Sequence, residues 1–242
     1  MRIEVFRDVD ALAHGAADHF YKCAEDAIAS SGKFTVALTG GSTPKDIYKL
    51  MAQPEYASRI DWSRVQVFWG DERCVGPDDP ESNYGMARDA LLAHVPIPDA
   101  NVHRMRGELD PAASADEYEE LLRTIVGERF DLVILGMGSN THIASLFPHS
   151  AGLHEDKRWV IAPYVEEVSM WRVTITPPVM NRAARVVFWV AGPDKTAAVK
   201  RVLEGPHDPD AVPAQIVAPQ SGELLWLLDE SAASGLSPAT LK

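Results

Sequence analysis

The chain has 242 residues, of which 46% are hydrophobic and 24% are charged, and these values fit a globular protein and exclude a disordered or fibrous one. Its formal net charge of −12 opposes binding to nucleic acids and to anionic membranes, because both partners require clustered Lys and Arg. The same charge disfavours a small anionic ligand unless a few basic side chains converge at one place.

The N-terminal residues do not resemble a secretory signal. Arg2, Glu4 and Arg7 are charged, and the residues after them do not form the continuous apolar stretch that a signal peptide needs. The longest apolar runs have the length of strands, well short of the roughly 18–20 residues that span a bilayer. The two cysteines, Cys23 and Cys74, fit a reducing compartment. The sequence therefore predicts a cytoplasmic protein.

Apolar runs typical of buried strands alternate along the chain with helical patterns. Strands are predicted at 2–6, 34–39, 64–69, 131–136, 158–162, 171–176 and 185–191. Near-continuous apolar character at 65–69, 132–135 and 186–190 is typical of strands buried on both faces. This alternation predicts an α/β fold, with one domain over residues 1–242 built on a mostly parallel, Rossmann-like sheet flanked by helices.

Helices are predicted between these strands. Apolar residues at every fourth position from Leu12 to Ile28 form one face of the first helix, and Gly32 is its expected end. The later helices are expected to start at Pro44 with Thr43 as the cap, at Ser82 as the cap of a helix to Ala93, at Asp110-Pro111, and at Asp194 for a helix to about Leu203. The Pro-rich stretch 205–213 is predicted to be a surface loop.

Four loops that follow predicted strands are rich in glycine or polar residues. They lie at 40–43, 70–73, 136–142 and 192–195. In open α/β sheets, ligands bind beyond the carboxyl ends of the strands. If the strands are parallel, all four loops lie on the same rim, which is where we expect the site.

The first of these loops has the features of a phosphate-binding loop. Gly40 and Gly41 allow a ligand to approach the backbone, and Ser42 and Thr43 precede a helix whose N-terminus offers free N–H groups. The loop is not a Walker A motif, because the Gly-Lys-Ser/Thr ending is missing. A tight turn with a helix cap is the alternative interpretation.

Three basic residues are candidates for the local positive charge that an anionic ligand requires. Arg73 follows Asp71 and Glu72, Arg172 begins an apolar strand, and Lys195 opens a helix. A guanidinium group suits phosphate or carboxylate. Taken singly, each is more often a surface charge, and a sequence such as 71–73 is more often a solvated turn.

His142 is the candidate proton-transfer residue, because its unperturbed pKa suits chemistry near neutral pH and it ends a glycine-rich loop. A structural role is the alternative. The loop resembles a Gly-x-Gly-x-x-Gly dinucleotide motif only imperfectly, since Thr141 replaces the last glycine. Ser145 is predicted to contact ligand or cap the loop. No Gly-x-Ser-x-Gly elbow and no zinc-ligand spacing occurs, so neither a serine hydrolase nor a zinc enzyme is expected.

An ordered set of motifs along nearly the whole chain matches one known family. They are Ala-Leu-Thr-Gly-Gly-Ser-Thr-Pro at 37–44, Trp-Gly-Asp-Glu-Arg at 69–73, Glu-Ser-Asn-Tyr at 81–84, Leu-Gly-Met-Gly at 135–138, His-Ile-Ala-Ser-Leu-Phe-Pro at 142–148, Arg-Val-Thr at 172–174, Asn-Arg-Ala at 181–183, Lys195, and Gly-Glu-Leu-Leu-Trp at 222–226. Together they resemble the 6-phosphogluconolactonase family.

The resemblance implies a fold shared with glucosamine-6-phosphate deaminases and the hydrolysis of 6-phospho-D-glucono-1,5-lactone in the pentose phosphate pathway. It implies chemistry without metal or cofactor, in which His142 activates water and Arg73 or loop N–H groups stabilise the oxyanion. The residues that it places around the phosphate and the lactone are Gly40, Gly41, Ser42, Thr43, Arg73, Arg172 and Lys195, and Ser145 is our own further candidate for substrate binding. We expect a phosphorylated lactone as the small-molecule partner, no nucleic acid or membrane, and a monomer or small homo-oligomer.

One departure from the family pattern lies beside the histidine. The family usually has Asp-Gly where this chain has Asn140-Thr141. An aspartate orients the imidazole and stabilises its charged form, and an asparagine oxygen can still accept from an imidazole N–H. Asp71 is a candidate replacement acid, and Thr141 is strained if the family's glycine has a positive φ.

Two further functions remain open from the sequence. The Asn140-Thr141 departure allows a catalytically weakened protein that binds sugar phosphates. An amino-sugar phosphate deaminase is a second alternative, supported by Ile143. Against it, Ser-Leu-Phe-Pro at 145–148 replaces that family's Phe-Asn-Glu-Pro, and Arg73 replaces its usual tyrosine.

Overall fold

A six-stranded parallel sheet forms the centre of the molecule. The computed structural model describes residues 1–241. In chain order, the strands of this part are β1 (Arg2–Phe6), β2 (Phe34–Leu38), β3 (Val65–Trp69), β4 (Asp71–Arg73), β5 (Leu132–Leu135), β6 (Val160–Ile161), β7 (Tyr164–Val165), β8 (Met170–Ile175), β9 (Arg185–Val190) and β10 (Glu223–Asp229). The central sheet has the order β1-β10-β9-β5-β2-β3, with every neighbouring pair parallel. The predicted α/β fold is confirmed.

Helices cover both faces of this sheet. They are α1 (Val9–Ser31), α2 (Ser42–Met51), α3 (Pro54–Ala57), α4 (Asn83–Ala90), α5 (Pro111–Ile125), α6 (Pro177–Arg182), α7 (Thr196–Glu204) and α8 (Glu230–Ala233). No helix within residues 1–241 is both long enough and apolar enough to cross a bilayer.

The strands bury side chains on both faces, as their continuous apolar character predicts. In β9, Trp189 joins the core under α1 and α2, whereas its neighbours Phe188 and Val190 point to the opposite core under α7 and α8. This alternation follows from the two-residue period of a strand. The two cores hold the sheet between layers of helices and fix the positions of the loops at its carboxyl edge.

The sequence does not predict β10, although this strand lies between β1 and β9. Its Leu-Leu-Trp-Leu-Leu run is mostly buried. The run comes after a Pro-rich stretch that resembles a linker, but its five consecutive apolar residues have the pattern of the other buried strands, and its pairing with Arg185–Val190 makes it a central strand.

A second, antiparallel sheet corrects two further predictions. The predicted strands 158–162 and 171–176 pair here rather than in the parallel sheet, in the order β4-β8-β6, with β7 also on β8. Residues 71–73 form β4 and not a solvated turn, because Asp71 and Glu72 are buried. The small sheet places these residues and Arg172 next to the carboxyl edge of the large one.

Most of the predicted helix ends are confirmed. Gly32 ends α1 with a φ of 80°, Ser82 accepts from the N–H of Gly85 at the start of α4, and Asp110 caps α5. Thr43 does not cap α2, because the helix begins at Ser42, two residues before the predicted start at Pro44, and Gly41 is its N-cap. The helix predicted from residue 194 begins at Thr196, after a 3₁₀ turn at Pro193–Lys195.

Candidate active site

A pocket of about 360 Å³ lies beyond the carboxyl ends of β2, β3, β5 and β9. All four predicted loops contribute to it, which confirms that they share one rim. The predicted site residues that line it are Gly40, Gly41, Asp71, Arg73, His142, Ser145, Arg172 and Lys195. Three other predicted site residues are not part of the lining within residues 1–241. Asn140 lies behind His142 and contacts it, and Ser42 and Thr43 form the first turn of α2.

The Gly40-Gly41 loop is shaped by its close neighbours. Gly41 has a φ of 111°, a conformation that L side chains rarely adopt. A Cβ on Gly40 would overlap the side-chain oxygen of the buried Asn83. The Tyr48 hydroxyl bonds both the N–H and the carbonyl of Thr39, at 3.1 and 2.9 Å. The loop is thus fixed at the N-terminus of α2, where no side-chain cap occupies the N–H groups.

His142 is held with one ring nitrogen engaged. Its Nδ1 lies 2.6 Å from Asn140 Oδ1, and its ring stacks on Phe147 with centroids 4.2 Å apart. A Cβ on Gly138 would overlap this Nδ1, so a glycine is required there. Burial lowers the pKa of His142, against the opposing charges of Asp71 and Glu167. A neutral imidazole with Nδ1 engaged has Nε2 free to accept a proton.

Thr141 has the positive φ that the sequence comparison with the family's glycine raises as a possibility, and Asn140 contacts the imidazole. Thr141 has a φ of 72°, and its buried Oγ1 has no hydrogen-bond partner within residues 1–241. Asn140 accepts from the imidazole and also from the main-chain N–H of His142, at 3.1 Å. Its amide nitrogen donates to the Glu167 carboxylate, at 3.0 and 3.1 Å. Asn140 thus engages the imidazole at the position where the resemblance leads us to expect an aspartate.

Asp71 does not replace the missing aspartate by direct contact. Its Oδ2 accepts from Ser145 Oγ at 2.7 Å, and Asn83 Nδ2 lies 3.3 Å from its Oδ1 and 2.9 Å from its carbonyl oxygen. The carboxylate acts on His142 only through its charge, which opposes the lowering of the histidine pKa. Ser145 lines the pocket as predicted and fixes this carboxylate.

Three basic side chains also line the pocket. Arg73 and Arg172 face each other in the register of β4 and β8. Burial and the charge of Arg73 both lower the pKa of Arg172. Lys195, in the loop after β9, also lines the pocket, and its Nζ lies 3.2 Å from Asp194 Oδ2. The three predicted cations thus converge in a protein of net charge −12, as an anionic ligand requires.

Glu72 is a structural residue of the site that the sequence does not predict. Its buried carboxylate accepts from the N–H groups of Arg73, Asn83 and Tyr84, at 2.7 to 2.8 Å. It also accepts from Ser82 Oγ at 3.0 Å. Burial raises its pKa, and these hydrogen bonds oppose that rise. These hydrogen bonds hold the start of α4 against β4. The two segments are ten residues apart, so the helix and strand patterns of the sequence do not reveal this contact.

Residues 1–241 contain no group of three or more His, Cys, Asp or Glu side chains arranged to bind a metal ion. The polar groups that line the pocket are one imidazole, the carboxylates of Asp71 and Glu167, three cations, the side chains of Thr39, Asn83 and Ser145, and the main chain of the glycine loops. This set can bind an anion and transfer a proton within one pocket.

Known proteins share both the sequence and the architecture. A 6-phosphogluconolactonase from Nostoc sp. is 41% identical over 242 aligned residues, which cover 97% of this chain and 98% of the relative. Another from Synechocystis sp. is 42% identical over 219 residues, covering 88% of each chain. The solved structure of 6-phosphogluconolactonase from Trypanosoma brucei has a TM-score of 0.86 at 29% identity and covers 98% of both chains.

The family model described as glucosamine-6-phosphate isomerases/6-phosphogluconolactonase matches residues 7–226, and this range includes each loop that lines the pocket. The resemblance inferred from the ordered motifs is therefore confirmed. The chain belongs to the glucosamine-6-phosphate isomerase/6-phosphogluconolactonase family.

Proposed function

We propose that this protein hydrolyses 6-phospho-D-glucono-1,5-lactone to 6-phosphogluconate in the pentose phosphate pathway, and that residues 1–242 form a single lactonase domain. The observation that carries the proposal is the position of His142, whose Nδ1 is held by Asn140 in a pocket lined by Arg73, Arg172 and Lys195. The pocket therefore contains both a neutral imidazole that can act as a base and basic side chains that can bind a phosphorylated substrate.

The positive part of the pocket suits the phosphate of such a substrate. Arg172 and Lys195 line the same pocket as the Gly40-Gly41 loop, and Arg73 pairs with Arg172 across β4 and β8. A phosphate dianion accepts from guanidinium, ammonium and main-chain N–H groups together. The pocket volume, about 360 Å³, lies within the roughly 300–1,000 Å³ that is usual for small-molecule sites. Anchoring the phosphate orients the lactone carbon toward His142.

The chemistry needs one water molecule and one proton carrier. Nε2 of His142 takes a proton as the water oxygen bonds to C1 of the lactone, and negative charge develops on the carbonyl oxygen. Guanidinium and loop N–H groups stabilise that charge. The bond between C1 and the ring oxygen then breaks, the imidazolium returns its proton to that oxygen, and the new carboxylic acid ionises to solvent. No covalent intermediate with the protein is formed.

A phosphorylated sugar lactone is therefore the partner that we propose, in a cytoplasmic setting. Both cysteines, Cys23 and Cys74, are free, as is usual in a reducing compartment.

The test is the hydrolysis of freshly generated 6-phosphogluconolactone, corrected for the spontaneous rate. We expect turnover by the wild-type protein, and a loss of roughly 10²–10⁴-fold in His142→Ala, because general base catalysis contributes that much. His207→Ala is the matched control, since His207 is exposed and lies outside the pocket. Equal activity of His142→Ala and wild type would refute the assigned base.

Two other outcomes would replace the proposed function. Tight binding of 6-phosphogluconate without hydrolysis would identify a sugar-phosphate-binding protein. Release of ammonia from glucosamine 6-phosphate would identify a deaminase.

A further inference from the structure

Glu167 lies at the tip of a hairpin that borders the active site. The strands of the hairpin are β7 and β8, which pair Tyr164 with Trp171, and a 3₁₀ turn at Glu166–Val168 joins them. Ser169, with a φ of 49°, closes the turn. The hairpin carries Arg172 on its second strand, so one element brings both a cation and an acid to the pocket.

The contacts of Asn140 define which way its amide points. A carboxylate only accepts hydrogen bonds, so the atom of Asn140 that faces Glu167 is the NH₂ group. The other amide atom receives the main-chain N–H of His142 and is therefore the oxygen. This oxygen lies 2.6 Å from Nδ1, so the Nδ1 of His142 carries the proton. Glu167 and the main-chain N–H of His142 thus hold the amide in the same orientation, and that orientation favours the tautomer with the proton on Nδ1.

We propose that Glu167 is a positioning residue for His142, which supplies through the amide of Asn140 the negative charge that the family's aspartate supplies directly. The inference rests on the proposed function. As His142 gains a proton, its cation is stabilised by the Asn140 oxygen, and that oxygen is polarised by the carboxylate on the other side of the amide. The negative charge near His142 is therefore kept, but it lies one hydrogen-bonded group farther from the imidazole than an aspartate at position 140 would place it.

The other charged groups around His142 do not perform this task. Asp71, on β4, has its Oδ2 bonded to Ser145. Lys195 and Arg172, on the loop after β9 and on β8, oppose protonation of the imidazole. Only Glu167 combines a negative charge with a hydrogen-bonded path to Nδ1 among these groups of the described chain.

The proposal predicts coupling between positions 140 and 167. Glu167→Gln removes the charge and keeps an acceptor for the amide. In the native Asn140 background we expect kcat to fall roughly ten-fold and KM to stay nearly unchanged. This loss in kcat is much smaller than the ~10⁴-fold loss that follows Asp→Asn in a serine-protease triad, because the Glu167 carboxylate acts through an amide and is exposed. In an Asn140→Asp background the same change should cost nothing or raise kcat, because it removes repulsion between two carboxylates.

The experiment is therefore a double-mutant cycle on lactone hydrolysis with wild type, Asn140→Asp, Glu167→Gln and the double variant. Glu166→Gln is the matched control, since Glu166 is an exposed residue of the same turn and the substitution changes the net charge equally. A loss in Glu167→Gln that equals the loss in Glu166→Gln would overturn the proposal. An equal loss in both backgrounds would also overturn it, because it would mark a merely structural role.

A second readout does not depend on turnover. Nitrogen NMR of the His142 imidazole should show the proton on Nδ1, and Glu167→Gln should lower the pKa of His142, because it removes a negative charge that stabilises the cation. If wild type shows no hydrolysis above the spontaneous rate, the proposed function fails and this titration still decides the positioning role. An unchanged pKa with an unchanged tautomer overturns it.

Discussion

Arg73 and Arg172 lie directly opposite each other in the antiparallel pair of β4 and β8, and both line the pocket. Like charges in opposed positions destabilise a strand pair. The Nε atoms of both are buried, with no hydrogen-bond partner within residues 1–241. A bound phosphate removes the repulsion and supplies acceptors for these donors. The pair is therefore unfavourable in the empty site and suited to an anion.

The first prediction concerns Arg172→Gln. A hydrogen bond to a charged group contributes about 1.5–3 kcal/mol, so the substitution should raise KM by roughly 10- to 100-fold, with a smaller effect on kcat. The inhibition constant of inorganic phosphate, as a competitor, should rise in parallel. Steady-state kinetics check both values. Arg201→Gln, an exposed change on α7, is the control. An unchanged KM would mean that Arg172 does not contact the phosphate.

The sequence predicts the rim of the site because each part of that rim is local. A glycine-rich loop directly follows each buried strand, and the rule that ligands bind at the carboxyl edge of parallel strands brings the four loops together. This reasoning places Gly40, His142 and Lys195 in one pocket without knowledge of the sheet order.

The residues that the sequence misses act through contacts between distant segments. Glu72 bonds the start of α4, and Glu167 bonds Asn140, 27 positions away in sequence. Nothing in the spacing of these residues signals the contact, because both depend on how the small antiparallel sheet folds against the large one. β10 is a different case, because its Leu-Leu-Trp-Leu-Leu run has the apolar pattern of a buried strand, and only its position between β1 and β9 depends on long-range pairing.

The second prediction concerns Gly40→Ala. The added Cβ would overlap the Asn83 side chain, which is buried and donates to the Asp71 carbonyl. Overpacking of this kind costs about 1–3 kcal/mol of folding free energy. We also expect lower kcat/KM, because the shift disturbs both the phosphate loop and Asp71. Gly76→Ala is the control, since no atom lies within 4 Å of its added Cβ. Urea unfolding and kinetics measure the two effects, and equal stability of the two variants would contradict the prediction.

The third prediction is that Thr141→Gly stabilises the protein. The φ of 72° strains a β-branched residue by ~1–3 kcal/mol, and its buried, unpartnered hydroxyl costs ~1–3 kcal/mol more. Against this, glycine adds about 1 kcal/mol of backbone entropy cost and loses about 1 kcal/mol of methyl burial. The balance is a gain on the order of 1 kcal/mol, seen as a higher urea midpoint. A lower midpoint would show that the methyl packing outweighs the strain.

The last prediction is the pH dependence of hydrolysis. His142 acts as a base, so its neutral form is the active one, and kcat/KM should rise with pH as the imidazole loses its proton. Burial lowers the pKa of His142, and Lys195 and Arg172 act in the same direction, whereas Asp71 and Glu167 oppose them. The acid limb of the profile should therefore have its midpoint below about 6.5, the value of an unperturbed histidine.

The variant that tests this assignment is Asp71→Asn, which removes the largest opposing charge while keeping the size of the side chain. It should shift the acid limb to still lower pH, because the imidazolium loses a stabilising carboxylate. The profile is measured as kcat/KM from pH about 5 to 8, with the spontaneous hydrolysis subtracted at each pH. A midpoint above that of free histidine in the wild-type protein would contradict the prediction, because it would show that the two carboxylates outweigh burial.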